Sequence, residues 1–493
     1  MRSHRRPGLH QGALLAALLV AAATPALAQM QVQSLAPPDL FSTPAGPTDL
    51  GGDLWKDTAP GIARDVLPRL AARPLSPAFA DLARKVLATG ANGPVGVGNE
   101  PDMGAARALG LIALGDAAGA DLVLDRAPGV ANNAALSLAS AEAALIKGDD
   151  DKACRIGEAL TVDRGAGYWL RLRAFCQARA GQVDAAQLTL SLVQQQAPQQ
   201  QAQKGGGGDA DYVRLMSAVA AGTPPGAANL RNGINYALSR KLGLDLAAAA
   251  ATASPAVSRM ITPPGPPPPP AGLDLTAAET SDLAFLRQAK GLVAFIDAAK
   301  ASAASIAALA RADAPLRDPV LFARAALVAG DLPTAQAIRS RLVQDQIPGA
   351  TATDLALLDA MISAASGKPD GQVLARLIDR GAQGGAKSPA QAAALLLASL
   401  GGAMGPDERA QFATFDVGRP TASAPRLALL DAAADRKGEA ALLALSIAAE
   451  AGVAGPSAVD RARIAQGLAR AGLAADARAV VVEGLLALTL PTK

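Results

Sequence analysis

Apolar residues recur along this chain at the spacing of one helical face. Phe79, Leu82, Ala83, Val86 and Leu87 fall at i, i+3, i+4, i+7 and i+8, which predicts a helix over 77–89. Ser76 stands where an N-cap belongs, Pro77 fits a first turn, and Gly90 offers a stop. The same reading predicts helices over 103–115, 117–125, 133–147, 210–221, 230–241, 460–470 and 476–488. A long apolar face over 276–301 includes Leu283, Leu286, Leu292 and Phe295. Residues 388–406 carry no charge, but prolines bound them and Gly401 and Gly402 interrupt them, so a buried helix is expected rather than a membrane span.

One spacing organises these segments. Ala141, Gly148 and Ala153 form Ala-x6-Gly-x4-Ala, and Ala174, Gly181 and Ala186 repeat it 33 residues later. It returns at Ala323, Gly330, Ala335 and at Ala465, Gly472, Ala477. Small residues let two helices approach closely and glycine takes the turn between them, so each copy predicts a helical hairpin. Asp149, Asp150 and Asp151 follow one such turn. They lack the spacing of a calcium loop and suit the positive end of a helix.

The three small positions resemble the tetratricopeptide family, with Trp169 and Leu172 one residue off that family's register. The chain is also similar to Ala-rich exported helical-repeat proteins of high-GC Gram-negative bacteria. The resemblance implies stacked hairpins that bind protein partners, and it supplies no catalytic residues. The fold class expected is all-α, a TPR-like α-solenoid in two lobes.

Composition supports helices: half of the 493 residues are hydrophobic, yet only 3% are aromatic, so the apolar content is largely Ala, Leu and Val. Residues 1–28 read as a secretory signal peptide. Arg2, Arg5 and Arg6 precede an apolar run, and Ala26-Leu27-Ala28 is a small-residue cleavage site. The expected location is therefore the periplasm. Cleavage would take 46 basic residues to 43, against 43 acidic ones, and would remove both histidines, His4 and His10. A near-neutral chain gives no footprint for nucleic acid.

The remaining segments follow from composition. Residues 29–48 are rich in Pro, Ser, Gln and Gly and are expected to be disordered. A first helical lobe is expected over 49–261, with a flexible Gln/Gly insertion at 194–208. Residues 262–272 hold a proline run, which predicts a spacer of about 30 Å and a domain boundary, with a loop within one continuous solenoid as the alternative. A second lobe is expected over 273–493, closed by a capping helix that carries Val480, Leu485 and Leu486.

Cys154 and Cys176, the only cysteines, fall on helices expected to be antiparallel neighbours. In an exported chain this predicts a disulfide closing a loop worth about 3 kcal/mol. A redox-active pair and two free thiols are the alternatives.

Without histidine, Ser-His-Asp and Cys-His nucleophiles and histidine metal sites are excluded, and two cysteines cannot make a thiolate zinc site. Gly96 and Gly98 do not complete a dinucleotide fingerprint because Pro101 takes the last position. No Gly-Lys-Ser/Thr follows Gly205–Gly208. Catalytic, cofactor and metal residues are thus expected to be none. Glu142, Glu158 and Glu279 read as solvated-face residues.

The function expected is a non-enzymatic periplasmic scaffold that binds a protein partner through helical-repeat grooves. Tyr168, Trp169 and Phe175 are its candidate contact residues in an aromatic-poor chain, with gap-filling in the core as the alternative. Two other functions compete: a peptidoglycan-acting enzyme using paired carboxylates, and a self-assembling envelope protein.

Overall fold

The computed structural model describes residues 39–201, 208–261, 274–312, 315–342, 350–367 and 369–490. The expected signal peptide and proline spacer lie outside them. Among the described residues the chain is all-helical, with 23 α-helices and no strand. The first part comprises α1 (Pro60–Ala72), α2 (Pro77–Ala88), α3 (Pro101–Ala113), α4 (Ala117–Leu124), α5 (Ala134–Lys147) and α6 (Asp150–Ala159). Next come α7 (Gly167–Arg179), α8 (Val183–Gln201), α9 (Gly208–Ala221), α10 (Gly233–Lys241) and α11 (Pro255–Ile261). The second half opens with α12 (Leu275–Gln288), α13 (Leu292–Arg311), α14 (Pro319–Val328), α15 (Leu332–Ser340), α16 (Ala352–Ala365) and α17 (Gly371–Gln383). It ends with α18 (Pro389–Ala398), α19 (Pro406–Phe412), α20 (Ala424–Ala432), α21 (Lys437–Ala451), α22 (Ala458–Arg470) and α23 (Ala474–Ala487).

Each Ala-x6-Gly-x4-Ala copy is a hairpin. Gly148 turns α5 into α6, Gly181 turns α7 into α8, Gly330 turns α14 into α15, and Gly472 turns α22 into α23. All four glycines have φ between 78° and 93°, a region that penalises any Cβ. All eight alanines of the pattern are fully buried. A fifth copy precedes them: Ala108, Gly115 (φ 87°) and Ala120 join α3 to α4, one 33-residue period before Ala141. Three consecutive copies therefore run from α3 to α8. After Gly115, Gly148 and Gly330 comes an aspartate whose side chain accepts from an amide of the next helix: Asp116 from Gly119, Asp149 from Lys152, Asp331 from Thr334.

Several boundaries differ from expectation. Gly291 (φ 84°) breaks the apolar stretch over 276–301 into α12 and α13. Residues 194–201 of the expected insertion extend α8 as helix. Residues 39–48 are packed where disorder was expected. Phe41 is fully buried edge-to-face against Trp55, with ring centroids 5.8 Å apart. The cause is Arg107 of α3, itself fully buried. Its guanidinium donates to Leu40 O (2.9 Å), Thr43 O (2.8 Å), Leu87 O (2.8 Å) and Thr89 O (3.1 Å). It thereby ties the incoming segment to the end of α2. Burial pulls this guanidinium down to about 10, and Asp39 opposes the shift.

The core does not divide at 262–272. Its largest cluster joins side chains of α1–α5 to side chains of α12–α18 and α20–α23. Helices α1 and α2 pack on α21, and α2 also packs on α23. A second cluster, with Leu145, Phe175, Leu215 and Leu238, is confined to α5–α10. The closure of the first helices on the last is polar as well as apolar. Glu483 of α23 accepts from Ser76 Oγ (2.6 Å) and Ala78 N (2.5 Å), and pairs with buried Arg461 of α22 at 2.6 Å. Ser76 is the N-cap residue of α2, but its hydroxyl serves this carboxylate instead of an α2 amide. Glu439 of α21 likewise accepts from Ala59 N at the start of α1 (2.8 Å).

One described helix, α13, is long and apolar enough to cross a membrane. It packs on α12, α14, α15 and α2, and 44% of its most apolar window is buried. The uncharged stretch over 388–406 forms only the ten-residue α18, followed by a turn at Gly401.

Candidate functional site

The repeat hairpins α5–α6 and α7–α8 place the cysteines on facing helices, and Cys154 and Cys176 form a disulfide with Cα atoms 5.7 Å apart. Gly157 permits the approach, since a Cβ there would lie 3.2 Å from Leu172. Both cysteines are half-buried and line a groove of about 520 Å³ with Arg155, Arg164, Arg173 and Arg179. Arg179 pairs with Asp151 and holds that carboxyl below its usual range. Both partners are exposed, so the pair adds little stability.

The three aromatic candidates do not form an exposed patch. Phe175 is fully buried and Trp169 is 4% exposed, because both fill the second core between α7 and its neighbours. Both pack in that core, and Trp169 also borders the groove at the disulfide. Tyr168 is half-buried, stacked edge-to-face on Trp169 at 5.0 Å, and borders a separate cavity.

That cavity, of about 280 Å³, lies between α5, α7 and α10 and is lined by Leu138, Glu142, Tyr168, Arg171, Tyr212 and Ile234 among others. Glu142 is not on a solvated face. Its Oε2 accepts from Gly233 N (2.8 Å), the first amide of α10. Gly233 allows this contact, since a Cβ there would sit 2.9 Å from that oxygen. Glu142 Oε1 and the Tyr168 hydroxyl are buried and face each other, and neither completes a hydrogen bond of good geometry. Burial raises the Glu142 carboxyl above its usual range, against the pull of Gly233 N, Tyr168 and Arg171. Burial, then the nearby Glu142 charge, raises the Tyr168 phenol well above 10. Across the cavity, Tyr212 donates to Arg171 O (2.9 Å).

Glu142 and Asn232 also line a larger cleft of about 810 Å³ formed by α1–α3, α5, α11 and α13. Apolar side chains such as Leu70, Leu109, Ile112 and Ile146 make much of its wall. Arg73, Arg231 and Arg259 on its border form no ion pair among the described residues. Arg84 pairs with Asp81 at 2.5 Å and lies near Arg259. The Arg259 guanidinium is lowered first by burial and then by Arg84, against the opposing pull of Asp116 and Asp81. Asp297 of α13 lines the same cleft, and burial raises its carboxyl. Among the described residues no group of three or more Cys, Asp, Glu or His is placed to hold a metal.

The chain matches no family model, no curated protein and no solved structure.

The sequence reading missed the cleft and the role of Glu142. The signal for the cleft was weak, because its walls come from residues as distant as Leu70 and Val453. The additional hairpin was legible, since stepping back 33 residues from Ala141, Gly148 and Ala153 lands on Ala108, Gly115 and Ala120.

Proposed function

We propose that this chain is a non-catalytic scaffold of the periplasm, a TPR-like stack of hairpins whose cleft receives an acidic segment of an envelope protein. The observation that carries the reading is the cleft: an apolar wall bordered by Arg73, Arg231 and Arg259, none with an ion-pair partner among the described residues. Such a surface gains from an acidic chain that also buries apolar side chains. Three consecutive 33-residue hairpins support the repeat reading. The disulfide supports an oxidising compartment.

The test is in-cell crosslinking of the tagged chain, with mass spectrometry of periplasmic and envelope fractions. The expected result is a reproducible partner that disappears in the double variant Arg231→Glu/Arg259→Glu, with helicity unchanged by circular dichroism. Recovery of the chain alone would overturn the hetero-partner reading in favour of self-assembly.

One observation favours a second reading. Glu142 and Asp297, both raised by burial, line one cleft, and a pair of acids is what a carboxylate-based glycan hydrolase uses. Loss of cell-wall turnover in Glu142→Gln and Asp297→Asn, with no partner captured, would select it.

A further inference from the structure

The Cys154–Cys176 disulfide lies at the edge of the second core, not inside it. Both cysteines are half-buried and pack against that cluster, and Ala153 is the one buried residue of α6. The cysteines also form part of the wall of the groove of about 520 Å³. A disulfide sealed in a core is inert because no thiolate reaches it, whereas one on a groove wall is open to attack.

The charges around the groove are unequal. Arg155, Arg164, Arg173 and Arg179 line it, against Asp151 and Glu158. Asp151 is paired with Arg179. Arg155 and Arg164 form no ion pair among the described residues, and Arg173 donates to Arg164 O at 3.3 Å without a carboxylate partner. An anionic reagent therefore gains on entering, and a cationic one is repelled. The two sulfurs also differ. On α7, Arg173 and Arg179 stand three residues before and three after Cys176, on its side of the helix. On α6, Asp151 stands three residues before Cys154 and Glu158 four after it. Cys176 is in the last turn of α7, where the helix dipole opposes an anion with about half an elementary charge, less than Arg173 alone supplies. A thiolate on Cys176 is thus better stabilised than one on Cys154, and the better-stabilised thiolate leaves faster.

We propose that this bond is a thiol–disulfide exchange site for a small anionic thiol. The incoming thiolate forms a new S–S bond to Cys154 Sγ. The Cys154–Cys176 bond breaks, and its electron pair leaves on Cys176 Sγ as a thiolate flanked by the α7 arginines. One disulfide replaces another, so no separate oxidant is needed, and Cys176 can attack the mixed disulfide, expel the thiol and restore the resting bond. The inference does not depend on the cleft's protein partner, which the Arg231 and Arg259 variants test separately.

The experiment incubates the oxidised full chain with glutathione, which is net negative, quenches at intervals with excess N-ethylmaleimide and maps both cysteines by mass spectrometry. The expected result, without denaturant, is glutathione on Cys154 and maleimide on Cys176 in the same molecules. Cationic cysteamine should react at least about threefold more slowly, once each rate is divided by that thiol's rate on a small neutral disulfide. Added salt should shrink this difference. Arg173→Gln should slow the release of Cys176 at least about threefold and Arg173→Lys should restore it, with the circular dichroism spectrum unchanged. Arg155→Gln/Arg164→Gln should erase the preference for glutathione. Four outcomes would overturn the proposal: no exchange at millimolar glutathione, glutathione chiefly on Cys176, an unchanged rate in Arg173→Gln, or a rate that climbs steeply with sub-denaturing urea, which would place the reaction in an opened chain.

Discussion

At the scale of single residues, the acids that matter are buried and serve amides far away in the chain. Glu142 caps α10, Glu439 the start of α1, Glu483 that of α2, and Glu279 accepts from Arg317 N just before α14. Asp460 accepts from Thr421 N and Ala422 N just before α20. A carboxylate at a helix start satisfies an orphan amide and complements the dipole, which explains why burying it is tolerable. None of this was legible in the sequence, because Glu439 lies 380 residues from Ala59. Glu279 and Glu142 look like surface helix positions when only local periodicity is read. Removing one such acid strands its partners. Glu483→Ala leaves Arg461, 2% exposed, without its counter-charge, and should destabilise by about 3–5 kcal/mol in urea unfolding. Glu142 gives a pH test. Its folded value is raised above the ordinary 4.5, so the folded state binds the proton more tightly. The stability this provides is full below the ordinary value and is lost as pH rises through the raised one. Glu142→Gln has no proton to lose, so its melting temperature relative to the parent chain should climb as pH rises from about 4 to 8.

At the scale of elements, the hairpins were legible because their cause is local. A glycine with positive φ must stand at the turn, and alanines must stand where two helix axes come close. Both constraints are written at fixed spacing, so Ala141, Gly148 and Ala153 announce α5 and α6 without any knowledge of neighbours. The cross-link was legible for the same reason, as its two helices are consecutive. Gly115→Ala puts a Cβ in the left-handed region and 2.7 Å from Arg259 Nε. It should cost about 1 kcal/mol or more in thermal unfolding. Cys154→Ala/Cys176→Ala frees a loop of 22 residues and should cost about 3 kcal/mol. The helices should persist, because Leu172 and Phe175 remain packed in the second core.

At the scale of the whole molecule, proline composition and the buried core suggest different divisions of the chain. A run of prolines reads as a boundary, and the sequence on its two sides reads as two lobes. The buried side chains follow another division. Leu67, Phe79 and Leu87 of the first helices share a cluster with Leu442 of α21 and Leu485 of α23, whereas α5–α10 carry a cluster of their own. Side-chain pairing between positions 400 residues apart has no local signature, so only the folded chain reveals it. The division makes a prediction that separates the two pictures. If lobes met at the proline run, residues 39–261 would fold alone. The contacts say otherwise: α1 and α2 would lose α21 and α23, their Glu439 and Glu483 caps, and an apolar face that burial of Phe79 and Leu87 now satisfies. The fragment 134–261 retains α5–α11, the disulfide and the whole second cluster. Expressed in an oxidising compartment, 134–261 should give a cooperative thermal transition. In limited proteolysis of 39–261, residues 39–88 should be digested while the part beyond 134 survives. Equal protection across 39–261 would show that α1 and α2 do not depend on the C-terminal helices, and would restore the boundary to the proline run.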